Sequence, residues 1–97
     1  MVNAPVHVHA RMYIKDDGHL SEEIKKMIDA SLKDEGCISY QFYQNLLNKE
    51  EYIMVEHWKN KQLLDAHMKA PHFIALGEYM KKVALAPMDI EVIESTK

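Results

Sequence analysis

The amino-acid sequence predicts an α+β domain in the order βαββαβ, with one four-stranded antiparallel sheet and both helices on one of its faces. Three observations predict it. Residues 6–14 alternate apolar and polar with the period of a strand, residues 20–32 carry apolar side chains at helical spacing, and the order strand, helix, strand then recurs.

In the first strand Val8, Ala10, Met12 and Ile14 share one face, and His7, His9, Arg11 and Tyr13 share the other. Asp16-Asp17-Gly18 marks a turn. Ser21 reads as the N-cap of the first helix, with Glu22 and Glu23 where the helix dipole favours acid. Leu20, Ile24, Met27, Ile28, Ser31 and Leu32 form its apolar face, and Gly36 stands where a C-terminal cap belongs. Cys37 to Gln44 reads as a second strand with Ile38, Tyr40 and Phe42 on one face, and Tyr52 to Trp58 as a third. Between them Asn45 to Glu51, polar except for Leu46 and Leu47, closes a hairpin. Asn60 caps a second helix in which Leu63, His67, Ala70 and Ile74 share a side. Pro71 interrupts it, and further turns bring Phe73, Leu76 or Gly77, and Met80 inward. Met88 to Ile93, after Pro87, closes the chain as a fourth strand.

Right-handed crossovers fold this order into a ferredoxin-like sheet with one bare face. Strand three offers Tyr52, Met54 and Trp58 on one side and Ile53 and Val55 on the other, so both faces are apolar. With helices for only one of them, a second copy of the chain is the expected cover, giving a homodimer or a multiple of it. The open face of each sheet is expected to wall a pocket for a small organic molecule.

A chain of 97 residues is read as one domain spanning 1–97. The 12 basic and 15 acidic side chains give a formal charge of −3, which offers nucleic acid no electrostatic footing. Cys37 is the lone cysteine and Met1 to Pro5 lacks a secretion signal, so a cytoplasmic location is expected. No apolar run approaches the roughly 20 residues that span a bilayer, so no membrane partner is expected.

Three blocks carry a resemblance. Glu35-Gly36-Cys37-Ile38-Ser39-Tyr40-Gln41-Phe42-Tyr43 resembles a Gly-Cys-x-x-Tyr-x-Phe-Tyr segment, Glu56-His57-Trp58 a Glu-x-Trp element, and Ala66-His67 with Pro71-His72-Phe73 a His-x-x-x-Pro-His-Phe element. This is the pattern of the antibiotic biosynthesis monooxygenase domain, and the resemblance implies its dimeric α+β barrel. The family includes quinol monooxygenases, cofactor-free anthrone-type oxygenases, an isomerase and haem-degrading enzymes. The haem-degrading branch needs an Asn on strand one and an iron-ligating His in the last helix; near those positions stand Ala10 and Gly77, so haem is not expected.

His67 is the leading candidate for a catalytic base, since an imidazole on the apolar side of the second helix can take a proton from a quinol hydroxyl or an acidic carbon; its other role is that of a packed histidine. Glu56 shares a strand face with Trp58 and reads as an inward carboxylate that orients a histidine or the substrate. Trp58 would stack on an aromatic substrate or fill the core, His72 and Phe73 would shape the pocket rim, and Arg11 and Tyr13 would bind an oxygenated substrate if the histidine face turns inward. His7, His9 and His57 lack a recognisable ligand spacing, so no metal is expected, and Cys37 reads as a packed residue. The activity implied by the resemblance is that of a cofactor-independent monooxygenase acting on a small aromatic or quinol substrate. An enolising isomerase with the same base, or a ligand-binding stress-response dimer without turnover, stands beside it.

Overall fold

A computed structural model describes residues 4–95. It contains β1 (Val6–Tyr13), α1 (Leu20–Ser31), β2 (Cys37–Asn45), β3 (Asn48–Trp58), α2 (Lys61–His67), α3 (Pro71–Val83) and β4 (Asp89–Glu94). The strands form one sheet in the order β2-β3-β1-β4, antiparallel throughout, which is the ferredoxin-like α+β architecture.

Strand alternation decides what is buried. Val6, Val8, Ala10 and Met12 of β1 and Tyr52, Met54, Glu56 and Trp58 of β3 turn to the helices and lie buried, while their odd-numbered neighbours on the other face stay half-exposed or, at Arg11, exposed. Leu20, Ile24 and Met27 of α1, Leu64 of α2 and Leu76, Met80 and Val83 of α3 complete one core. Each of these large side chains contributes about 1.5–3 kcal/mol by leaving water.

Several local expectations are corrected. The first helix begins at Leu20 with His19 at the N-cap, so Ser21 lies inside it and does not cap it. Gly36 does not end that helix; at φ 84° it turns the chain into β2. The hairpin is longer than expected, because β2 and β3 continue to a two-residue turn at Leu46 and Leu47, which stand out in solvent. Ile38 does not share the face of Tyr40. Cys37 pairs with Trp58 and Ser39 with His57, so Ile38 is the extra residue of a bulge and is exposed. Pro71 begins a separate helix, in keeping with the preference of proline for the first helical turn. The second helical unit is therefore two helices, with Leu64 and Leu76 buried and Ile74 exposed.

Candidate active site

The pocket lies on the helix side of the sheet, between β1, β3 and β4 below and α2 and α3 above, within a single chain. This pocket is walled by the helix-facing side of the sheet and not, as expected from sequence, by its open face. Its walls are apolar, with Val8, Ala10, Met54, Leu64, Met68 and Phe73 among them, and three polar groups, Tyr40, Glu56 and His67, reach it. The enclosed free volume is about 30 Å³, inside a concavity of about 440 Å³ counted out to solvent. The inner part holds about one water molecule. Ile90 and Val92 of β4 remain 47% and 40% exposed, so the pocket opens on that side.

His67 is the last residue of α2 and its imidazole faces the core, 2% exposed. Its Nε2 lies 3.4 Å from the Tyr40 hydroxyl, and its Nδ1 lies 2.7 Å from Oδ2 of Asp34. Desolvation lowers its pKa and outweighs the Asp34 carboxylate, which acts in the opposite sense. The ring is therefore neutral near pH 7, as a base must be. Asp34 sits in the turn after α1, and its Oδ2 is also 2.8 Å from Nε2 of His72. Despite desolvation, the bonds to His67 and His72 hold its carboxyl below the ordinary range.

Glu56 is buried on β3, opposite Tyr40 of β2. Trp58 Nε1 donates to its Oε1 at 2.9 Å, yet desolvation prevails and raises its pKa. The same burial, with Glu56 close by, pushes the Tyr40 phenol well above its usual value, so it remains a neutral hydroxyl. Burial, then the charges of Glu56 and Asp34, raises the Cys37 thiol to about 11, which leaves it protonated and unsuited to attack.

The structure brings together only part of the site expected from sequence. His67, Glu56 and Phe73 line the pocket. Trp58 does not: it is fully buried behind them, with its ring 4.6 Å from that of His67, and supports His67 by packing and Glu56 by its N–H. His72 bonds Asp34 behind the base and is absent from the pocket wall. Arg11 and Tyr13 are corrected, because strand alternation puts them on the opposite face of the sheet, where Arg11 is exposed and pairs with Glu51 at 3.4 Å. His7 and His57 stack on that same face with ring centroids 4.0 Å apart. Asp34 and Tyr40 were missed. Tyr40 stands in the Gly-Cys-x-x-Tyr block and was discoverable there; Asp34 meets His67 across 33 positions of sequence, with no local signal.

The family model for antibiotic biosynthesis monooxygenase matches residues 5–79. A stretch of 65 residues is 31% identical to the uncharacterized protein sll1783 of Synechocystis, covering 67% of this chain and 44% of that protein, so the match spans under half of that relative. The "Probable quinol monooxygenase YgiN" of Escherichia coli is 27% identical over 82 residues, 75% of this chain and 77% of that one. Among solved structures, a conserved protein from Methanosarcina mazei superposes with a TM-score of 0.85 at 29% identity, covering 97% of this chain and 95% of that one.

Proposed function

For this chain, which belongs to the antibiotic biosynthesis monooxygenase family, we propose a cofactor-independent monooxygenase acting on a small aromatic or quinol-type substrate, with His67 as the base. The observation that carries the reading is a buried imidazole anchored at Nδ1 and directed by Nε2 toward a hydroxyl at the edge of an apolar pocket. The likeness to a probable quinol monooxygenase points to the same substrate class.

His67 Nε2 takes a proton from an electron-rich phenol or from the acidic methylene of an anthrone-type ring. The carbanion or phenolate passes one electron to dioxygen, the oxidant, and the substrate radical and superoxide combine into a peroxide. The peroxide takes the proton back from His67, and loss of water, which carries off the hydrogen on the oxygenated carbon, leaves the quinone carbonyl. The substrate supplies the electrons, so the chain contributes deprotonation, orientation and a dry pocket. Tyr40, a neutral donor beside Nε2, hydrogen-bonds the substrate oxygen. With room for only about one water in the inner part, a ring enters as the flexible side chains of Met68 and Met88 move aside.

An enolising isomerase is the second reading, favoured by Glu56, whose raised pKa suits a carboxyl that returns a proton to the enolate. In both readings a second copy covers the outer sheet face of Ile53, Val55, His57 and Ile93 and makes a homodimer. The test is oxygen uptake with a panel of hydroquinones and anthrones. Uptake above autoxidation that falls about 10²- to 10⁴-fold in His67→Gln supports the oxygenase. No uptake, with deuterium exchange into enolisable ketones, supports the isomerase.

A further inference from the structure

The chemistry above uses one side of the His67 ring. The other side meets a construction of its own: a single oxygen, Oδ2 of Asp34, with His67 Nδ1 at 2.7 Å and His72 Nε2 at 2.8 Å. The three side chains come from the turn after α1, the last residue of α2 and the first turn of α3. His67 is sealed from solvent, whereas Asp34 and His72 are each about a fifth exposed.

A carboxylate only accepts hydrogen bonds, so the ring nitrogen facing it carries the proton. A neutral imidazole has one proton to place. With it on Nδ1, Nε2 has a free lone pair, and Nε2 faces the Tyr40 hydroxyl and the pocket. With it on Nε2, the ring cannot act as a base and Nδ1 confronts the carboxylate lone pair to lone pair. His72 bears on the same oxygen and prevents Asp34 from rotating away toward water.

Aspartate and two histidines also make a donor set for a divalent transition metal. The spacing argues against it. Ligand atoms around a tetrahedral ion at about 2.0–2.2 Å stand roughly 3.3 Å apart, whereas here both nitrogens sit at hydrogen-bond distance from one shared oxygen.

We propose that Asp34 is the positioning residue of the pocket base: it fixes His67 as the Nδ1–H tautomer with the Nε2 lone pair turned to the pocket, and His72 holds it in place from the solvent side. This deepens the reading of His67 as the base and rests on it. The charge that develops on His67 is offset by the carboxylate 2.7 Å away. The titratable groups facing His67 are Asp34 from the turn, Tyr40 from β2 and His72 from α3; Glu56 lines the same pocket and accepts from the Trp58 N–H.

The experiment is long-range ¹H–¹⁵N NMR of the histidine rings in the whole protein, without substrate, from pH 5 to 9, with His67 assigned through His67→Gln. The expected result is a protonated Nδ1 and a pyridine-like Nε2 at His67. In Asp34→Asn, whose side-chain amide can donate as well as accept, the Nε2–H form appears and the midpoint falls further; Asp34→Glu restores the parent pattern. A parent ring with its proton on Nε2 overturns the proposal, even if Asp34→Asn does not fold. So does stoichiometric Zn²⁺ binding that perturbs all three residues and vanishes in Asp34→Asn, which would make the trio a metal site. Against an active substrate, Asp34→Asn is expected to lose about 10²- to 10⁴-fold in kcat with little change in KM, and its pH profile to shift with the NMR midpoint. Should the tautomer stand as expected while no substrate consumes oxygen, the oxygenase reading fails and the positioning role survives.

Discussion

Gly36→Ala perturbs the hinge that places Asp34. Gly36 has φ 84°, a left-handed conformation that costs a residue with a Cβ about 1–2 kcal/mol. A Cβ built there would also stand 2.8 Å from Cβ and 3.0 Å from Cγ of Leu63 in α2, with Cδ1 closer still. Two elements would have to part, for the Gly36 carbonyl accepts from the Lys59 N–H at 2.8 Å and ties this turn to the end of β3. Overpacking of that kind costs about 1–3 kcal/mol. The sum, about 2–5 kcal/mol, is a large share of the stability of a chain this size and lowers Tm by roughly 10–30 °C. Urea denaturation with matched thermal melts measures it. Gly36→Asn, which tolerates the left-handed region yet carries a Cβ, is expected to recover the backbone part only. In Gly36→Ala combined with Leu63→Ala, loss of Cγ and Cδ1 removes two of the three contacts and leaves the one to Cβ, and the double variant falls short of additivity by about 0.5–3 kcal/mol. A Gly36→Ala protein within about 0.5 kcal/mol of the parent would refute the close approach of α2 to the turn before β2, on which the placement of Asp34 over His67 depends.

Glu56→Gln is expected to stabilise the protein at pH 7.5 and to do little at pH 4. The folded-state pKa of Glu56 is raised by burial, so the folded state is favoured while the carboxyl is protonated and loses stability as pH rises from about 4.5 through that raised value; paired urea titrations read the difference. His67 has the opposite sign. Burial depresses its folded pKa, so its contribution is complete above the unfolded value of 6.5 and is lost as pH falls below it, and His67→Gln should flatten that part of the stability curve. Trp58→Phe removes the N–H that Glu56 accepts and is expected to cost about 1–3 kcal/mol in stability, measurable by urea denaturation, beyond any effect on substrate. If the proposed homodimer forms through the outer sheet face, Val55→Asp there is expected to sediment as a folded monomer while the parent sediments as a dimer, and the parent's association is expected to weaken below pH 6.5, where protonation of His57 sets a charge against stacked His7.

The order of elements was legible because it depends on local periodicity. Val8, Ala10, Met12 and Ile14 alternate with polar neighbours, and all four are buried. In the same way His67 and Glu56 stood out as polar groups on apolar faces, and both line the pocket. Periodicity says that two faces differ; it does not say which one the helices cover. Arg11 and Tyr13 were placed in the site for that reason, and only the sheet with its helical layer shows them on the far side. The bulge at Ile38 escaped for a related reason, since one extra residue reverses the face of everything before it and depends on pairing with β3.

The succession of strands and helical segments, the apolar character of the inner sheet face and the imidazole at the end of α2 were readable locally, because each follows from side chains within a few residues of one another. Tertiary structure alone decided the side of the sheet that holds the pocket, the retreat of Trp58 and His72 behind its wall, and the meeting of His67 with Asp34. These are contacts between residues far apart in the chain, and a hydrogen bond of 2.7 Å across 33 positions exists only once α1, β2 and α2 are packed in place.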